Sequence, residues 1–398
     1  MTMPNKPAGW IIILLAAVVA TTPLAIDMYL PAMPIMAEQL NTNIGMVQQS
    51  LSIFLAFFGV SMLVCGPLAD SLGRRPLAIF GLTGFVLASI ALSLVNSIEW
   101  FLALRAVQAL CGAAATVVVP GIVRHIYQEH TAKGMSYVSM IMMLAPLLAP
   151  AIGSGILWVA NWQMIFVTLA GYGVIVLLMS WRYLPEIPRD KTVAKPTFLS
   201  GYKVVFSNKS ARPDIATSMF ASFSFFCFLT AVPFVYIKFF GVNEQEFSLL
   251  FGFNVAMLML ANFINSRLVT RRGPQHMLRI GLVIAIISAS ALTLFNFWQF
   301  SLVYTVLSIA PLMASLSLIA TNADAMIIMK FPQNSGTATA VIGTLRFGIG
   351  ALAGPLLALF DNGTALPFSL LMLVGVLCIA VSQFWQKAIV KAQANAAS

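Results

Sequence analysis

Runs of apolar residues, each long enough to cross a membrane, recur along this chain between short polar segments. A helix that spans a bilayer needs about 20 predominantly apolar residues. The polar segment at 185–213 is longer than the other connections and divides the chain into two halves, 1–184 and 214–398, each with six apolar runs. The pattern predicts an all-α membrane protein of twelve transmembrane helices, called spans 1 to 12, in two pseudo-symmetric six-helix halves. The predicted spans are 9–36, 45–68, 76–96, 98–123, 135–158, 162–184, 214–239, 245–267, 276–296, 299–323, 334–360 and 366–387.

The composition and the placement of charge also indicate a membrane protein. Of the 398 residues, 60% are hydrophobic and 9% are charged, whereas soluble domains carry about 25% charged residues. The net charge of +10 forms no extended basic face, so nucleic acid is not an expected partner. Nearly all lysines and arginines lie in alternate connections, which predicts that both termini and the segment 185–213 are cytoplasmic. The first apolar run has no clear small-residue cleavage site and is predicted to be a retained span.

The two halves contain related segments at corresponding positions. Gly66–Pro76 (GPLADSLGRRP) follows span 2, and Asn265–Pro274 (NSRLVTRRGP) follows span 8. Ala149–Leu157 in span 5 corresponds to Gly348–Leu356 in span 11. Internal repetition is typical of secondary transporters, which alternate access around a site near the middle of the membrane.

The connection after span 2 combines glycines, an acid and two arginines. Gly66 and Gly73 permit backbone dihedral angles that other residues avoid. Asp70 can lie at a helix N-terminus, whose partial positive charge favours a carboxylate. Arg74 and Arg75 can pair with acids or hold the cytoplasmic face. Because a simple basic anchor would need only the arginines, the spacing favours a conformational latch.

One acidic residue, Asp27, interrupts the otherwise apolar span 1. A carboxylate within a span is costly and is by default a functional candidate. A carboxyl group in such surroundings can hold and release a proton during transport. The alternative is a hydrogen-bonded structural aspartate that stabilises a helix break near Pro31 and Pro34. A neutral residue would serve that structural role at lower cost, so we predict that Asp27 couples transport to protons.

Two arginines also fall within predicted spans. Arg105 lies in span 4 at a depth close to that of Asp27, which allows electrostatic coupling, although its side chain could instead reach the outer surface. We hypothesise that Arg105 lowers the proton affinity of Asp27 in the empty site or balances its charge when substrate binds. Arg346, near the middle of span 11, is either a substrate contact or one member of a structural pair between helices. Asp324 is expected to be solvated at the cytoplasmic end of span 10.

The order of these motifs resembles a known family. The Gly66–Pro76 segment is similar to the signature loop of the major facilitator superfamily. Three further motifs narrow the resemblance to the Bcr/CflA (bicyclomycin/chloramphenicol resistance) group of drug:proton antiporters: Asp27–Pro31 (DMYLP) in span 1, Arg105–Gln108 (RAVQ) in span 4 and Ala149–Gly153 (APAIG) in span 5. Gly343–Gly350 (GTLRFGIG) in span 11 extends the resemblance over nearly the whole chain. The resemblance implies export of a drug against proton entry, through a cavity between the two halves.

The resemblance also implies a role for span 5. In antiporters of this family its small residues form a tightly packed seam between the halves, and Pro150, Gly153 and Gly155 match that pattern. Ordinary packing of membrane helices accounts for much of the same composition. One difference from the family is Arg124-His125, where many relatives carry an aspartate after the arginine. A fixed partner for Arg74 is therefore not carried over.

The predicted substrate site is apolar and aromatic, with a few polar groups. Tyr29 and Tyr236 each lie in a span near a proline and bring a hydroxyl group. Met and aromatic surfaces adapt to different ligands. The candidate substrate-binding residues are Tyr29, Gln108, Tyr236 and Arg346.

Other classes of function have little support in the sequence. The histidines and cysteines show no metal-ligand spacing, and no phosphate-binding GxxxxGK[ST] motif is present, so neither a metal, a cofactor nor ATP is expected. An enzyme is not predicted. The alternatives are proton-coupled transport of an endogenous metabolite on the same fold and a membrane sensor without turnover. We expect a monomeric multidrug efflux antiporter of the bacterial inner membrane, whose partners are protons, lipid and a small amphiphilic drug.

Overall fold

The computed structural model describes residues 9–128, 131–186, 198–331 and 335–397, and every regular element in these ranges is helical. Twelve helices there are long and apolar enough to cross a membrane. The prediction of an all-α protein with twelve spans is therefore confirmed. Span 10 departs most from its predicted bounds, because it covers Leu302–Met329 rather than 299–323.

The chain divides into two compact units, Met1–Lys195 and Pro196–Ser398. In the N-terminal unit, spans 1, 4 and 5 each consist of two helical segments, and spans 2, 3 and 6 are single helices. A short 3-10 turn, Leu30–Ala32, joins the segments of span 1. The helices are α1 (Gly9–Asp27) and α2 (Met33–Gln39) in span 1, α3 (Ile44–Leu72), α4 (Arg74–Ser93), α5 (Ile98–Thr116) and α6 (Val119–Tyr127) in span 4, α7 (Thr131–Met142) and α8 (Ala145–Val159) in span 5, and α9 (Gln163–Tyr183).

The C-terminal unit also has six spans, but span 10 is a single helix where the corresponding span 4 is broken. It also contains one additional short helix. That helix, α10 (Phe198–Ser207), lies in the segment predicted as the central cytoplasmic loop, 185–213. Residues 187–197 of the predicted loop lie outside the described part of the chain. The remaining helices are α11 (Arg212–Pro233) with a π-helical turn (Phe234–Phe239) in span 7, α12 (Glu244–Arg272), α13 (Pro274–Phe297), α14 (Leu302–Met329), α15 (Ser335–Gly350) and α16 (Ala353–Leu359) in span 11, and α17 (Leu366–Ala397).

A proline lies in the first turn after each of four breaks within spans. Proline lacks a backbone N–H and its ring clashes with the carbonyl one turn earlier, so the first turn of a helix suits it best. Membrane helices also tolerate proline in their interior, as at Pro23, Pro67, Pro150, Pro233 and Pro311. Pro34, Pro120 and Pro146 each lie in the first turn of the second segment of their span. Pro355 is placed in the same way in α16. The breaks divide spans 1, 4, 5 and 11.

Each unit has its own packed core. In the N-terminal unit, α5 packs against α3 and α4, and α1 packs against α7, α8 and α9. In the C-terminal unit, α11 packs against α14, α15 and α17. The first span of each unit is thus surrounded by helices of its own unit. This arrangement places Asp27 in span 1 against spans 4 and 5.

Two corresponding glycines form the tight turns after spans 2 and 8. Gly73 is the single residue between α3 and α4, with φ 101° and ψ 147°. Gly273 is the single residue between α12 and α13, with φ 76° and ψ 155°. Residues with a side chain rarely adopt this conformation. The segments that follow spans 2 and 8, which are related in sequence, therefore have similar backbone geometry at this glycine.

Gly73→Ala is expected to destabilise the protein by roughly 1–3 kcal/mol, because alanine must adopt a strained backbone conformation at this turn. Thermal denaturation of the purified protein in detergent would measure the loss. Gly66→Ala is the matched control, because a methyl group there meets no atom within 4 Å and the residue lies inside α3. Equal stability of the two variants would contradict the assignment of strain to Gly73.

Candidate functional site

Asp27 lies at the break in span 1, near the middle of that span. It is the last residue of α1 and precedes the 3-10 turn that ends at Ala32. Its side chain is 3% exposed, and its Oδ1 has no hydrogen-bond partner among the described residues. An ionised carboxylate is poorly stabilised without donors in apolar surroundings. The position therefore suits a carboxyl group that binds a proton, and the structural alternative of a fully hydrogen-bonded aspartate does not match this geometry.

Arg105 is buried between two aromatic rings. Its guanidinium carbon lies 4.5 Å from the ring centroid of Tyr29 and 4.5 Å from that of Phe54. One terminal nitrogen (Nη1) donates to the carbonyl oxygen of Ala25 (3.0 Å) and to Oε1 of Gln108 (2.6 Å). The side chain is 0% exposed, so it does not extend to the outer surface. Cation–π contacts on both faces and two hydrogen bonds hold this charge inside the N-terminal unit.

Gln108 fixes the orientation of this arginine from the next turn of the same helix. Its Nε2 donates to Oγ of Ser89 in span 3 (2.8 Å), which leaves Oε1 to accept from Arg105. Ser89 in turn donates to the carbonyl oxygen of Phe85 (2.7 Å). Gln108 is fully buried. The predicted substrate-binding residue Gln108 therefore lies behind Arg105 and positions it.

Asp27 and Arg105 do not form an ion pair. Arg105 binds the backbone two residues before Asp27, and no nitrogen of the arginine lies within 4.0 Å of the carboxylate. Nε and Nη2 of Arg105 have no partner among the described residues, and neither does Oδ1 of Asp27. Span 4 thus holds unused donors on Arg105, and span 1 holds an unused acceptor on Asp27.

The two predicted tyrosines occupy corresponding places in the two units. Tyr29 in span 1 shares a hydrogen bond with Ser50 in span 2 (3.0 Å), and Tyr236 in span 7 accepts one from Asn254 in span 8 (3.2 Å). Both tyrosines are fully buried. Tyr29 also packs against Phe166, with 6.1 Å between ring centroids. In this structure both hydroxyl groups are therefore used within their own unit.

Span 5 packs directly on the break in span 1 through Gly153. A methyl group at Gly153 would collide with the carbonyl oxygen of Met28, the residue after Asp27. Pro150 and Gly153 are buried, whereas Gly155 faces open space. The resemblance implied a seam between the halves at this segment, but Gly153 makes its close contact inside the N-terminal unit. Its absence of a side chain lets span 5 support the backbone that carries Asp27.

Gly153→Ala is expected to destabilise the protein by roughly 1–3 kcal/mol, because the added methyl group forces spans 1 and 5 apart. Gly155→Ala is the matched control two residues away, since a methyl group there meets no atom within 4 Å. Thermal denaturation in detergent and transport assays of both variants would check the prediction. Equal thermal stability and equal transport in Gly153→Ala and Gly155→Ala would show that the close approach to Met28 is not required.

The predicted latch after span 2 is anchored to two other spans. Arg74 donates to the carbonyl oxygen of Gly121 in span 4 (2.6 Å), and a methyl group at Gly121 would occupy the place of the guanidinium. Arg75 donates to the carbonyl oxygen of Trp181 at the end of span 6 (2.6 Å). The side chain of Asp70 lies outside the described part of the structure. The two arginines thus link the turn by hydrogen bonds to backbone carbonyls of spans 4 and 6.

In the C-terminal unit, Arg346 forms an ion pair between helices, one of its two predicted roles, with a partner that the sequence did not identify. Its Nη1 lies 2.8 Å from Oδ2 of Asp324 in span 10. Its Nε donates to Oγ of Ser222 in span 7 (2.8 Å), and Ser218 donates to Oδ1 of Asp324 (2.6 Å). Asp324 was expected to be solvated near a helix end, and its side chain is 25% exposed. The carboxylate also binds groups from spans 7 and 11, which was not predicted.

A second polar cluster connects one end of each of spans 7, 10 and 12. Asp214 is fully buried and accepts from Lys330 (2.6 Å) and from Gln386 (2.8 Å). Lys330 also binds the carbonyl oxygen of Ser210. The sequence placed Lys330 only among the basic residues that set orientation. A basic residue at the end of one span and an acidic residue at the start of another are the signals that indicate such a pair.

Comparisons with known proteins bear on the whole chain. A model of the Major Facilitator Superfamily matches residues 15–355. A bicyclomycin resistance protein homolog of Haemophilus influenzae is 32% identical over 96% of both chains. A chloramphenicol resistance protein of Pseudomonas aeruginosa is 32% identical over 92% of this chain and 89% of its own length.

Solved structures are similar in fold. The nucleoside transporter NupG superposes with a TM-score of 0.71 at 14% identity, over 96% of this chain and 98% of its own. A bacterial homolog of the human lysosomal transporter Spinster, in an inward-facing and occupied conformation, gives a TM-score of 0.71 at 16% identity over 98% of both chains. These likenesses show a shared transporter fold.

Proposed function

Because the chain belongs to the major facilitator superfamily, and within it to the group of bicyclomycin and chloramphenicol resistance proteins, we propose that it exports small amphiphilic drugs in exchange for protons. Its twelve spans make it a multi-pass membrane protein and a transporter rather than an enzyme. The membrane is the inner membrane of a bacterium, and the concentration of basic residues in alternate connections supports cytoplasmic termini. The exporter acts as a monomer.

The proposal of proton coupling rests on the position of Asp27. This residue is buried near the middle of span 1, at a helix break, and Oδ1 of its carboxyl group has no donor. Ionisable residues retained inside a span mark proton pathways in pumps and transporters. In the proposed cycle, Asp27 takes a proton from the outer side and releases it to the cytoplasm. Proton binding and drug binding compete, so that each proton that enters displaces drug outward.

Arg105 supplies the charge that makes this competition sensitive to the state of Asp27. With Asp27 protonated, Arg105 rests between Tyr29 and Phe54 and binds the carbonyl of Ala25. When the proton leaves, the carboxylate attracts the unused Nε–H and Nη2–H donors of Arg105. The attraction moves the broken segment of span 1, which packs on Gly153 of span 5. The proton state of one side chain is thereby converted into a rearrangement of spans 1, 4 and 5.

Export is tested in cells that lack their main efflux systems. Cells that express the protein should accumulate less chloramphenicol or bicyclomycin than cells with an empty vector, and a protonophore should remove the difference. If well-expressed protein changes the accumulation of no compound, transport of an endogenous metabolite or a sensor role becomes the better account. If export persists with the protonophore present, the coupling to protons is wrong.

A further inference from the structure

The ion pair between Asp324 and Arg346 offers hydrogen-bonding groups that its own contacts leave unused. A guanidinium group has five N–H donors, and the described contacts of Arg346 engage two of them, one with Ser222 and one with Asp324. The two oxygens of Asp324 accept one hydrogen bond each, from Ser218 and from Arg346. Since each carboxylate oxygen can accept more than one, the pair presents free donors beside free acceptors.

Both side chains of this pair are partly accessible within the C-terminal unit. The side chain of Arg346 is 37% exposed and that of Asp324 is 25% exposed, yet Arg346 lies inside span 11. Charged groups at this depth face a bundle interior or a water-filled cavity, because contact with acyl chains is too costly. A ligand in that water-filled region can therefore reach both side chains. The pair of Asp214 and Lys330 differs, since the Asp214 side chain is 0% exposed and only Lys330 is accessible.

An aromatic surface continues from the ion pair along span 7. Ser218, Ser222 and Phe226 follow one another at four-residue spacing, which places them on one face of the helix. Phe226 packs against Phe347 with 5.8 Å between ring centroids. A methyl group at Gly350 would collide with Phe226, so span 11 lies close against this ring. The polar pair and the aromatic pair thus adjoin each other on spans 7 and 11.

We propose that Asp324, Arg346 and the adjacent Phe347 form a substrate-recognition site for neutral amphiphiles that carry a hydrogen-bond donor beside an acceptor, as an amide does. The ion pair has no net charge, so a charged ligand gains from one member what it loses to the other. A neutral amide interacts favourably with both members, because its carbonyl accepts from Arg346 while its N–H donates to Asp324. Phe347, which packs on the buried ring of Phe226, contacts the apolar part of the same ligand. This proposal rests on the proposed function and assigns it a substrate class.

The test compares two kinds of ligand on purified protein in detergent. Chloramphenicol is a neutral amide, and tetraphenylphosphonium is a lipophilic cation without hydrogen-bond donors or acceptors. Arg346→Gln is expected to weaken chloramphenicol binding by about tenfold or more, the equivalent of one lost charge-assisted hydrogen bond. Binding of tetraphenylphosphonium should not weaken, because the substitution removes a positive charge. Arg267→Gln, at an exposed cation–π contact with Phe263 in span 8, is the control and should change neither affinity.

A double variant separates recognition from a structural role. Arg346→Gln alone leaves Asp324 without its partner, whereas Arg346→Gln with Asp324→Asn removes both charges together. If the pair serves only to hold spans 10 and 11, the double variant should recover both thermal stability and chloramphenicol binding. Our proposal predicts recovery of stability without recovery of chloramphenicol binding.

The two proposals fail in different ways. The recognition site is overturned if the double variant recovers chloramphenicol binding, or if Arg346→Gln loses the same affinity for both ligands. Drug export by the wild type would stand in either case. Absence of drug export by the wild type in cells would instead remove the proposed function, and the recognition site with it.

Discussion

Asp27→Asn is expected to reduce drug export to the level of cells that lack the protein. Asparagine has almost the same shape as aspartate but cannot bind and release a proton, so the cycle loses the step that links drug to proton. The buried carboxyl group has an unpartnered oxygen, and a neutral amide avoids the cost of charge in that place. The variant should therefore remain folded and should still bind drug. Drug susceptibility, together with ligand binding by the purified variant, measures both parts of this prediction.

Asp361→Asn provides the matched control for this substitution. Asp361 lies between spans 11 and 12, is exposed, and accepts a hydrogen bond from the backbone of Gly363. The same loss of one carboxylate there should leave export unchanged. If Asp27→Asn exports drug as well as the wild type does, Asp27 has no role in coupling. If Asp27→Asn is less abundant in the membrane than the wild type, the thermal stability of the purified variant decides whether the substitution impairs folding.

Arg105→Lys is expected to remove most transport and to lower the free energy of unfolding by about 2 kcal/mol, the scale of desolvated cation–π contacts. Lysine keeps the charge but has no planar group to stack between Tyr29 and Phe54. Its ammonium group is compact and strongly hydrated, so burial in an aromatic cage costs it more than it costs arginine. Thermal denaturation in detergent measures the stability, and drug accumulation in cells measures transport.

Arg182→Lys is the control for a cation–π contact that is not enclosed. The guanidinium carbon of Arg182 lies 5.3 Å from the ring centroid of Tyr183, and both residues are exposed at the end of span 6. Exposed contacts of this kind contribute little. We expect Arg182→Lys to keep full stability and transport. An Arg105→Lys variant as stable and active as Arg182→Lys would show that a buried positive charge, rather than the stacked guanidinium, is all the site requires.

The spans and the candidate charges could be predicted from the sequence, because hydrophobic length and rare intramembrane charges are local signals. Asp27 and Arg105 stand out in apolar runs whatever the packing. The turn at Gly73 was also predictable, since its glycine and arginines lie together and recur after span 8. The short helix α10 was not foreseen, because it lies in a polar segment without a membrane-length apolar run.

The partners of these charges could not be predicted in the same way. A membrane helix is apolar on every side, so its sequence does not show which face meets which neighbour. For this reason the pairing of Asp324 with Arg346 and that of Asp214 with Lys330 were missed. Tyr29 was a candidate cavity residue because it is aromatic and carries a hydroxyl group, but the rotation of span 1 directs that hydroxyl group towards Ser50. Rotation and register between spans depend on close contacts such as that of Gly153 with Met28.

The most direct measurement is the proton flux that drug drives across a sealed membrane. In everted vesicles with an acidic interior, addition of chloramphenicol or bicyclomycin should drive drug inward and protons outward, and a pH-sensitive dye should record the rise in internal pH. We expect this signal from the wild-type protein and from Asp361→Asn, and no signal from Asp27→Asn. Drug uptake by wild-type vesicles without any change in internal pH, or an equal pH change in Asp27→Asn vesicles, would contradict proton-coupled export through Asp27.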